Sequence, residues 1–223
     1  DSMLKLRRAW LAHSLVVGNP KMPTAPDISG KPLKLSPLPG AQEEATSVAT
    51  ILGTPPRVGP KATETMVKSL LSKTNVVHLA THGYAYQSRD HVNDSFVALA
   101  PGEGNDGILT VSELLANGEA LVADLVVLSA CQTGVGNIQE GEGTVGLQYA
   151  FLARGARSVL VSLWSVNDKA TALLMRQFYH HWLDDIDGPM KSEALRRAQA
   201  DVRGTAGFEH PRYWAAFQLV GAQ

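Results

Sequence analysis

Residues 124–134 read DLVVLSACQTG, an apolar run that ends in a polar tail holding the chain's single cysteine, Cys131. Two other runs have the same form: VVHLA leads into Thr81-His82-Gly83, and VLVSLW leads into Ser165-Val166-Asn167-Asp168. These runs are apolar throughout instead of alternating, which is typical of strands buried on both faces of a parallel sheet. The three runs therefore predict neighbouring core strands.

Segments with helical spacing of apolar residues separate the runs, and alternation of strands with helices predicts an α/β fold with a mostly parallel sheet covered on both faces. Leu15–Gly18 predicts a further buried strand, and the final YWAAFQLVG predicts an edge strand. The polar, proline-rich stretch up to Gly40 predicts a loop. The predicted helices are AQEEATSVATILG with acidic residues in its first turn and Gly53 as its stop, TETMVKSLLSK, ILTVSELLANG, GLQYAFLARGA, DKATALLMRQFYHHWLDD and MKSEALRRAQADVRG.

Composition excludes several classes of protein. The chain has 223 residues, of which 44% are hydrophobic and 18% charged, so it can bury a sizeable core. The formal net charge of -1 provides no basic field for a nucleic-acid backbone. No apolar run reaches the ~18 residues that cross a bilayer. A single cysteine cannot form an internal disulfide, which favours a reducing compartment, and we predict a cytoplasmic location.

The polar tails of the three runs are the candidate site, because sites in open parallel sheets form beyond the carboxyl ends of the strands. A thiol (Cys131) and an imidazole (His82) there are the minimum for covalent catalysis, since the imidazole can take the thiol proton and later protonate a leaving amine. The N–H groups of Gly83 and Cys131 could face a developing oxyanion. The alternative is structural, because free cysteine is among the most buried residue types.

Two further polar residues of these runs favour packing roles. His78 lies inside its apolar run and is interpreted as a histidine of the core or one that supports the site from behind. Ser129 precedes Cys131 by two residues, on the same face of the strand, and is interpreted as a buried, hydrogen-bonded hydroxyl.

The segments VVHLATHG, LVVLSACQTGVG, GEGTVGLQYAFLARGARSVLVSLWSVND and YWAAFQLVG, in this order, resemble the CHAT family. CHAT domains are caspase-like members of the caspase–separase–gingipain superfamily and are often attached to TPR repeats. The resemblance covers residues 16–221 and implies a caspase-like three-layer α/β/α sandwich. It also implies a cysteine endopeptidase in which His82, in the HG pair, and Cys131, in the SACxTG segment, form a dyad.

The resemblance also implies where a substrate side chain binds. In the superfamily, the strand that follows the cysteine strand and the loop after it build the primary specificity pocket. Trp164 and Asp168 match that segment, and an acid there would select arginine or lysine before the scissile bond. Asp168 has an equal alternative as a helix-start aspartate, worth ~1 kcal/mol. Glu140 and Glu142, in the glycine-rich loop past Cys131, are rival acids of the pocket.

The sequence therefore predicts a single CHAT peptidase domain over residues 1–223, cut from a longer chain because it begins without methionine. We expect a protein substrate, control by a TPR or sensor region outside this chain, and no cofactor. One alternative is a caspase-like interaction module with a mispositioned dyad. The other, an α/β hydrolase or nucleotide-binding domain, lacks the G-x-S-x-G and G-x-G-x-x-G signatures.

Overall fold

The computed structural model describes residues 6, 9–27, 30–86, 91–116, 118–129, 145–184 and 190–222. Among these residues, no helix combines the length and the apolar character that crossing a bilayer requires. The strands are β1 Ser14–Pro20, β2 Thr24–Pro26, β3 Pro32–Lys34, β4 Arg57–Gly59, β5 Val76–Ala80, β6 Gly83–Tyr84, β7 Phe96–Ala98, β8 Ile108–Thr110, β9 Leu125–Leu128, β10 Ser158–Ser162 and β11 Phe217–Gly221. The helices are α1 Pro39–Leu52, α2 Glu64–Leu70, α3 Val111–Ala116, α4 Val145–Ala153, α5 Asp168–Leu183 and α6 Lys191–Arg203.

A six-stranded sheet in the order β11-β10-β9-β5-β1-β4 forms the centre of the fold. All neighbouring pairs are parallel except β10 with β11. The three apolar runs that opened the sequence analysis are β5, β9 and β10, and they lie side by side. The predicted adjacency and the predicted edge strand β11 are confirmed, so the parallel strands β5, β9 and β10 end at one edge of the sheet, here called the rim.

Helices cover both faces of the sheet, which gives the expected caspase-like three-layer sandwich. Successive strand residues contribute to opposite cores, as Leu15 and Val17 do on one side and Val16 on the other. The core that contains Leu15 is closed by α2, α3 and α4. The core that contains Val16 is closed by α1, α5 and α6.

The proline-rich stretch is more structured than the sequence analysis predicted. It contains the antiparallel hairpin of β2 and β3, and α1 already begins at Pro39. Proline suits the first helical position because its missing N–H would have no intrahelical partner there. The earlier start puts Glu43 and Glu44 beyond the first turn, so the prediction of acidic first-turn residues is wrong. The predicted stop at Gly53 is confirmed by its left-handed backbone, with φ of 68°.

Gly18 brings α1 unusually close to the sheet. A Cβ on Gly18 would lie 2.3 Å from the Cβ of Ala45 and 2.5 Å from the carbonyl oxygen of Ala41. No side chain fits at that distance, so the glycine permits direct contact between β1 and α1. The side chains of α1 that face the sheet therefore reach β5, the next strand over.

Candidate active site

A cavity of about 90 Å³ opens at the rim. The ends of β5, β9 and β10 contribute His82, Ser129 and Trp164, and the helices α1 and α5 contribute Glu44 and Asp168. We call it the rim cavity. Two of these lining residues are carboxylates, and no lysine or arginine is among the described residues that line it. The cavity therefore has the electrostatic character of a site for a cation.

The His82 imidazole is almost fully buried, with 2% of its surface exposed, and it is satisfied on one side only. Its Nε2 lies 2.7 Å from the carbonyl oxygen of Ser36. A carbonyl only accepts, so Nε2 carries the proton and Nδ1 carries the lone pair. Within the described residues, Nδ1 has no hydrogen-bond partner. An imidazole in this tautomer, with a free basic nitrogen, can accept a proton from a neighbouring group.

The segment that presents the Ser36 carbonyl is fixed by the two residues that follow Ser36. Pro37 follows Ser36 and restricts it to extended conformations. The N–H of Leu38 donates to Oδ1 of Asn19 over 2.8 Å. Asn19 lies near the end of β1 in the left-handed region, with φ of 42°, which asparagine tolerates better than most residues. The end of β1 thus helps to hold the partner of His82.

His78 is in a different environment, although it is four residues from His82. It is fully buried, with Nδ1 3.2 Å from the Tyr179 hydroxyl and Nε2 3.0 Å from Oε1 of Glu44. Burial raises the pKa of Tyr179 well above its ordinary value, and the charge of Glu44 raises it further, so the hydroxyl keeps its proton. The hydroxyl then donates to Nδ1, and Nε2–H donates to Glu44. The interpretation of His78 as a core histidine is confirmed.

Trp164 and Asp168 both line the rim cavity, where the sequence placed them. The Trp164 indole N–H donates to the carbonyl of Arg212 over 3.1 Å, which fixes the ring against the C-terminal segment. Asp168 is the first residue of α5, but Asn167 makes the capping hydrogen bonds, to the N–H groups of Lys169 and Ala170. Asp168 is nevertheless the acidic residue in the first turn of α5, so its alternative as a helix-start aspartate that interacts with the N-terminal dipole stays open.

Gly83 begins β6 and is paired with Val97 of β7. The N–H of Ala98 donates to the carbonyl of His82, so positions 82 and 98 form a hydrogen-bonded pair. Such pairs alternate with non-bonded pairs in antiparallel ladders, which leaves the N–H of Gly83 pointing away from β7. Gly83 is not among the residues that line the rim cavity.

Cys131 and the rival acids Glu140 and Glu142 lie outside the described residues, so their roles stay predictions. Ser129, two residues before Cys131, is 6% exposed and lines the rim cavity. Its burial was predicted, but within the described residues its hydroxyl has no hydrogen-bond partner. A buried hydroxyl without a partner is costly, by ~1–3 kcal/mol, and needs an explanation.

Three contributors to the site were missed from the sequence. Ser36 contributes a backbone carbonyl, which no side-chain pattern reveals. Glu44 was read as a helix-start acid, and only its place on the inner face of α1 reveals its contact with His78. Gly40 packs directly against Asp168: a Cβ on Gly40 would lie 2.3 Å from the Asp168 Cβ and from its Oδ2. The polar end of β1, Asn19-Pro20, could have indicated this part of the site, because Asn19 binds the segment that carries Ser36.

Comparison with known proteins gives one family model that matches most of the chain, the CHAT domain, over residues 3–222. Tetratricopeptide repeat protein 28 from mouse is 33% identical over 238 residues, and its human counterpart is 32% identical over 237 residues. Each match covers 93% of this chain but only 9% of the relative. The chain thus spans less than a tenth of the length of these tetratricopeptide repeat proteins.

Solved structures resemble the chain in fold. The complex of the pro- and mature domains of RgpB from Porphyromonas gingivalis has a TM-score of 0.57 at 9% identity, covering 96% of this chain and 48% of that one. The separase–securin complex of Saccharomyces cerevisiae has a TM-score of 0.51 at 16% identity, covering 99% of this chain and 13% of that one. A crystal structure described as the Arg-specific cysteine proteinase gingipain R has a TM-score of 0.54 at 8% identity.

Proposed function

Because this chain belongs to the CHAT domain family, we propose that it is a cysteine endopeptidase with His82 and Cys131 as its catalytic dyad. The observation that carries the proposal is the state of His82: Nε2–H donates to the Ser36 carbonyl, while Nδ1 is buried and, within the described residues, has no hydrogen-bond partner. A structural histidine at 2% exposure would be expected to have both nitrogens satisfied. The free nitrogen is the one that a general base requires.

The proposed reaction begins with transfer of the Cys131 thiol proton to His82 Nδ1. The thiolate attacks the carbonyl carbon of the scissile bond and forms a tetrahedral oxyanion. Its collapse breaks the carbon–nitrogen bond, and His82 gives the proton to the leaving amine. Water then hydrolyses the thioester with His82 again as the base, which restores the thiol. The Ser36 carbonyl keeps the ring oriented and stabilises the imidazolium.

The N–H groups of Gly83 and Cys131 are the proposed donors to the oxyanion. Support comes from the ladder of β6 and β7, which leaves the Gly83 N–H pointing away from β7. The glycine at this position also lets a substrate backbone approach without obstruction by a side chain.

The rim cavity is the proposed pocket for the residue before the scissile bond, with Trp164 as a wall and Asp168 as the selecting acid. The absence of lysine and arginine among its described lining residues supports a preference for a basic side chain. Glu142 is a further proposed contact of the substrate, from the loop past Cys131. No cofactor takes part in the proposed reaction.

The proposed substrate is a specific protein cleaved in the cytoplasm, and the proposed control comes from a TPR or sensor region outside this chain. The names of the two relatives, both tetratricopeptide repeat proteins, support such a region.

The test combines a peptide library with a thiol-reactive peptide warhead. We expect the wild-type protein to be labelled and to cleave, and Cys131→Ala to do neither. His82→Ala should lose about 100-fold to 10,000-fold in kcat/KM, the usual contribution of a general base. His13→Ala, which removes an exposed histidine, is the matched control and should cleave at the wild-type rate.

Cleavage that survives both Cys131→Ala and His82→Ala would show that the dyad is wrong. A wild-type protein that cleaves nothing, even with its TPR region restored, would instead support the caspase-like interaction module.

A further inference from the structure

Glu44 is a carboxylate at the rim cavity that the proposed reaction does not use. It is 4% exposed and lines the cavity from α1. Within the described residues, its carboxylate receives a single hydrogen bond, from His78. A carboxylate has about four acceptor positions, and burying one without compensation is costly. Most of the acceptor capacity of Glu44 is therefore available to something else.

Gly40 joins Glu44 to Asp168. The Asp168 carboxylate packs on Gly40, so close that a Cβ there would overlap it. Glu44 lies four residues after Gly40, on the same face of α1 and one turn further along. Side chains of a helix tilt toward its N-terminus, which directs Glu44 back toward Gly40. The two carboxylates are thus at successive depths, with Asp168 exposed at the mouth and Glu44 buried inside.

The Ser129 hydroxyl is a second sign that the rim cavity is built for a ligand. It is 6% exposed, lines the same cavity and has no hydrogen-bond partner within the described residues. A hydroxyl can accept from a donor that enters the cavity. Two carboxylates and a hydroxyl, with no described lysine or arginine to neutralise them, match a ligand group rich in N–H donors and positively charged.

From this arrangement we infer that Glu44 is the inner anion of the rim cavity and that it determines specificity by binding, with Asp168, the cationic side chain of the substrate residue before the scissile bond. The inference rests on the proposed function and deepens it. Glu44 binds the charged end of a side chain that is long enough to pass Asp168, and Asp168 adds a second negative charge at the mouth. Arginine and lysine are the residues of that length and charge.

His78 and Tyr179 are positioning residues in this arrangement. Their chain of hydrogen bonds, from the Tyr179 hydroxyl to His78 and from His78 to Glu44, occupies Oε1 of Glu44, a residue that lines the cavity.

The test measures kcat/KM for peptides that differ only in having arginine or the uncharged norleucine before the scissile bond. Glu44→Gln keeps the shape and an acceptor for His78 but removes the charge, and the arginine-to-norleucine ratio should fall by about 10-fold to 100-fold. Glu43→Gln is the matched control, because Glu43 is the exposed neighbour on the same helix, and its ratio should equal that of the wild type. An unchanged ratio in Glu44→Gln would overturn the inference.

Gly40→Ala tests the geometry without changing a charge. The added methyl group must displace Asp168, so the arginine preference should fall, while Gly102→Ala, whose methyl group would find ordinary contact distances, should leave it unchanged. If Glu44→Gln does not fold, the triple change Glu44→Met, His78→Leu and Tyr179→Phe removes the charge without leaving an unpaired partner. Retained arginine preference in that protein would also overturn the inference.

Binding of agmatine, a free guanidinium compound, to the Cys131→Ala protein separates this inference from the proposed reaction. Calorimetry should show binding that is weakened about 10-fold or more by adding Glu44→Gln but not by adding Glu43→Gln. Agmatine binding with this dependence, together with a wild-type protein that cleaves no peptide, would support Glu44 as the inner anion of the rim cavity and refute the peptidase. Peptide cleavage that depends on His82 and Cys131, with no effect of Glu44→Gln on the arginine-to-norleucine ratio or on agmatine binding, would support the peptidase and overturn the inference.

Discussion

Two histidines four residues apart on one segment, His78 and His82, differ in how their ring nitrogens are hydrogen-bonded. Both are buried, at 0% and 2% exposure, so burial does not distinguish them. His78 has a hydrogen-bond partner on each ring nitrogen, whereas His82 has one on Nε2 and none on Nδ1 within the described residues. The comparison teaches that the hydrogen bonds of the ring nitrogens, and not burial, distinguish the two histidines.

The two histidines have different neighbours because β5 ends at Ala80, between them. His78 is inside the strand and faces α1 and α5, the helices that carry Glu44 and Tyr179. His82 lies beyond the strand, where the neighbouring partner is the segment before α1 and not a helix. One segment thus supplies a core residue and a candidate site residue.

The largest expected effect is on catalysis. Changing His82 to Gln should lower kcat by about 100-fold to 10,000-fold because the free base is lost. The free energy of unfolding should change by only about 1 kcal/mol, since glutamine keeps an N–H donor for the Ser36 carbonyl and loses the ring contact with Tyr84. Peptide cleavage and urea denaturation measure the two quantities. A large loss of stability with little effect on kcat would show that His82 is a structural histidine like His78.

The next largest expected effect is the loss of stability when His78 is changed. The change to Ala leaves the Glu44 carboxylate and the Tyr179 hydroxyl without their buried partner, and unfolding should become easier by about 3–5 kcal/mol. Urea denaturation at pH 7 measures it, with His91→Ala, at an exposed histidine, as the control. A loss below about 1 kcal/mol would show that the buried chain of hydrogen bonds is dispensable.

A smaller effect concerns Tyr179 and alkaline pH. Its pKa is raised in the folded state, so the folded protein holds this proton more tightly than the unfolded chain does. Stability from this group is complete below about pH 10, the unfolded value, and falls as pH rises above it. Tyr179→Phe should lose about 1–2 kcal/mol at pH 7 and show a shallower decline above pH 10. Equal declines in both proteins would contradict the assignment.

The smallest effect tests how the partner of His82 is held. Asn19→Gly preserves the left-handed backbone but removes the acceptor for Leu38 N–H, which should cost about 0.5–1.5 kcal/mol of stability. The Ser36 carbonyl then becomes less fixed, and we expect kcat to fall a few-fold with KM little changed. A kcat equal to that of the wild type would mean that Pro37 alone suffices.

The mostly parallel sheet and the adjacency of β5, β9 and β10 were predictable because these runs are apolar throughout and end in recognisable tails, whereas the places of β1 and β4 in the strand order were not predicted. Short strands were not, since β4 and the β2–β3 hairpin are three residues each and contain or adjoin proline, which reads as loop. Such short strands form because they pair with strands that the rest of the fold brings beside them, and the local sequence does not reveal those pairings.

The site was predictable where a side chain stands at a strand end, as with His82, Trp164 and Asp168. It was not predictable where a backbone group or a distant contact is involved. Ser36 acts through its carbonyl, and Gly40 matters because of a residue 128 positions later, Asp168. Glu43 and Glu44 look alike in sequence, and only the angle around α1 separates the exposed acid from the buried one.

The chain of hydrogen bonds through His78 also equips the protein with an internal reporter. The Nε2 proton of a fully buried imidazole, donated to Glu44, is shielded from solvent and should exchange slowly enough to give a sharp downfield resonance in proton NMR spectra. The His82 signals report on the rim a short distance away. Spectra recorded while peptides are added would therefore show in one experiment which changes stay at the rim and which reach the core.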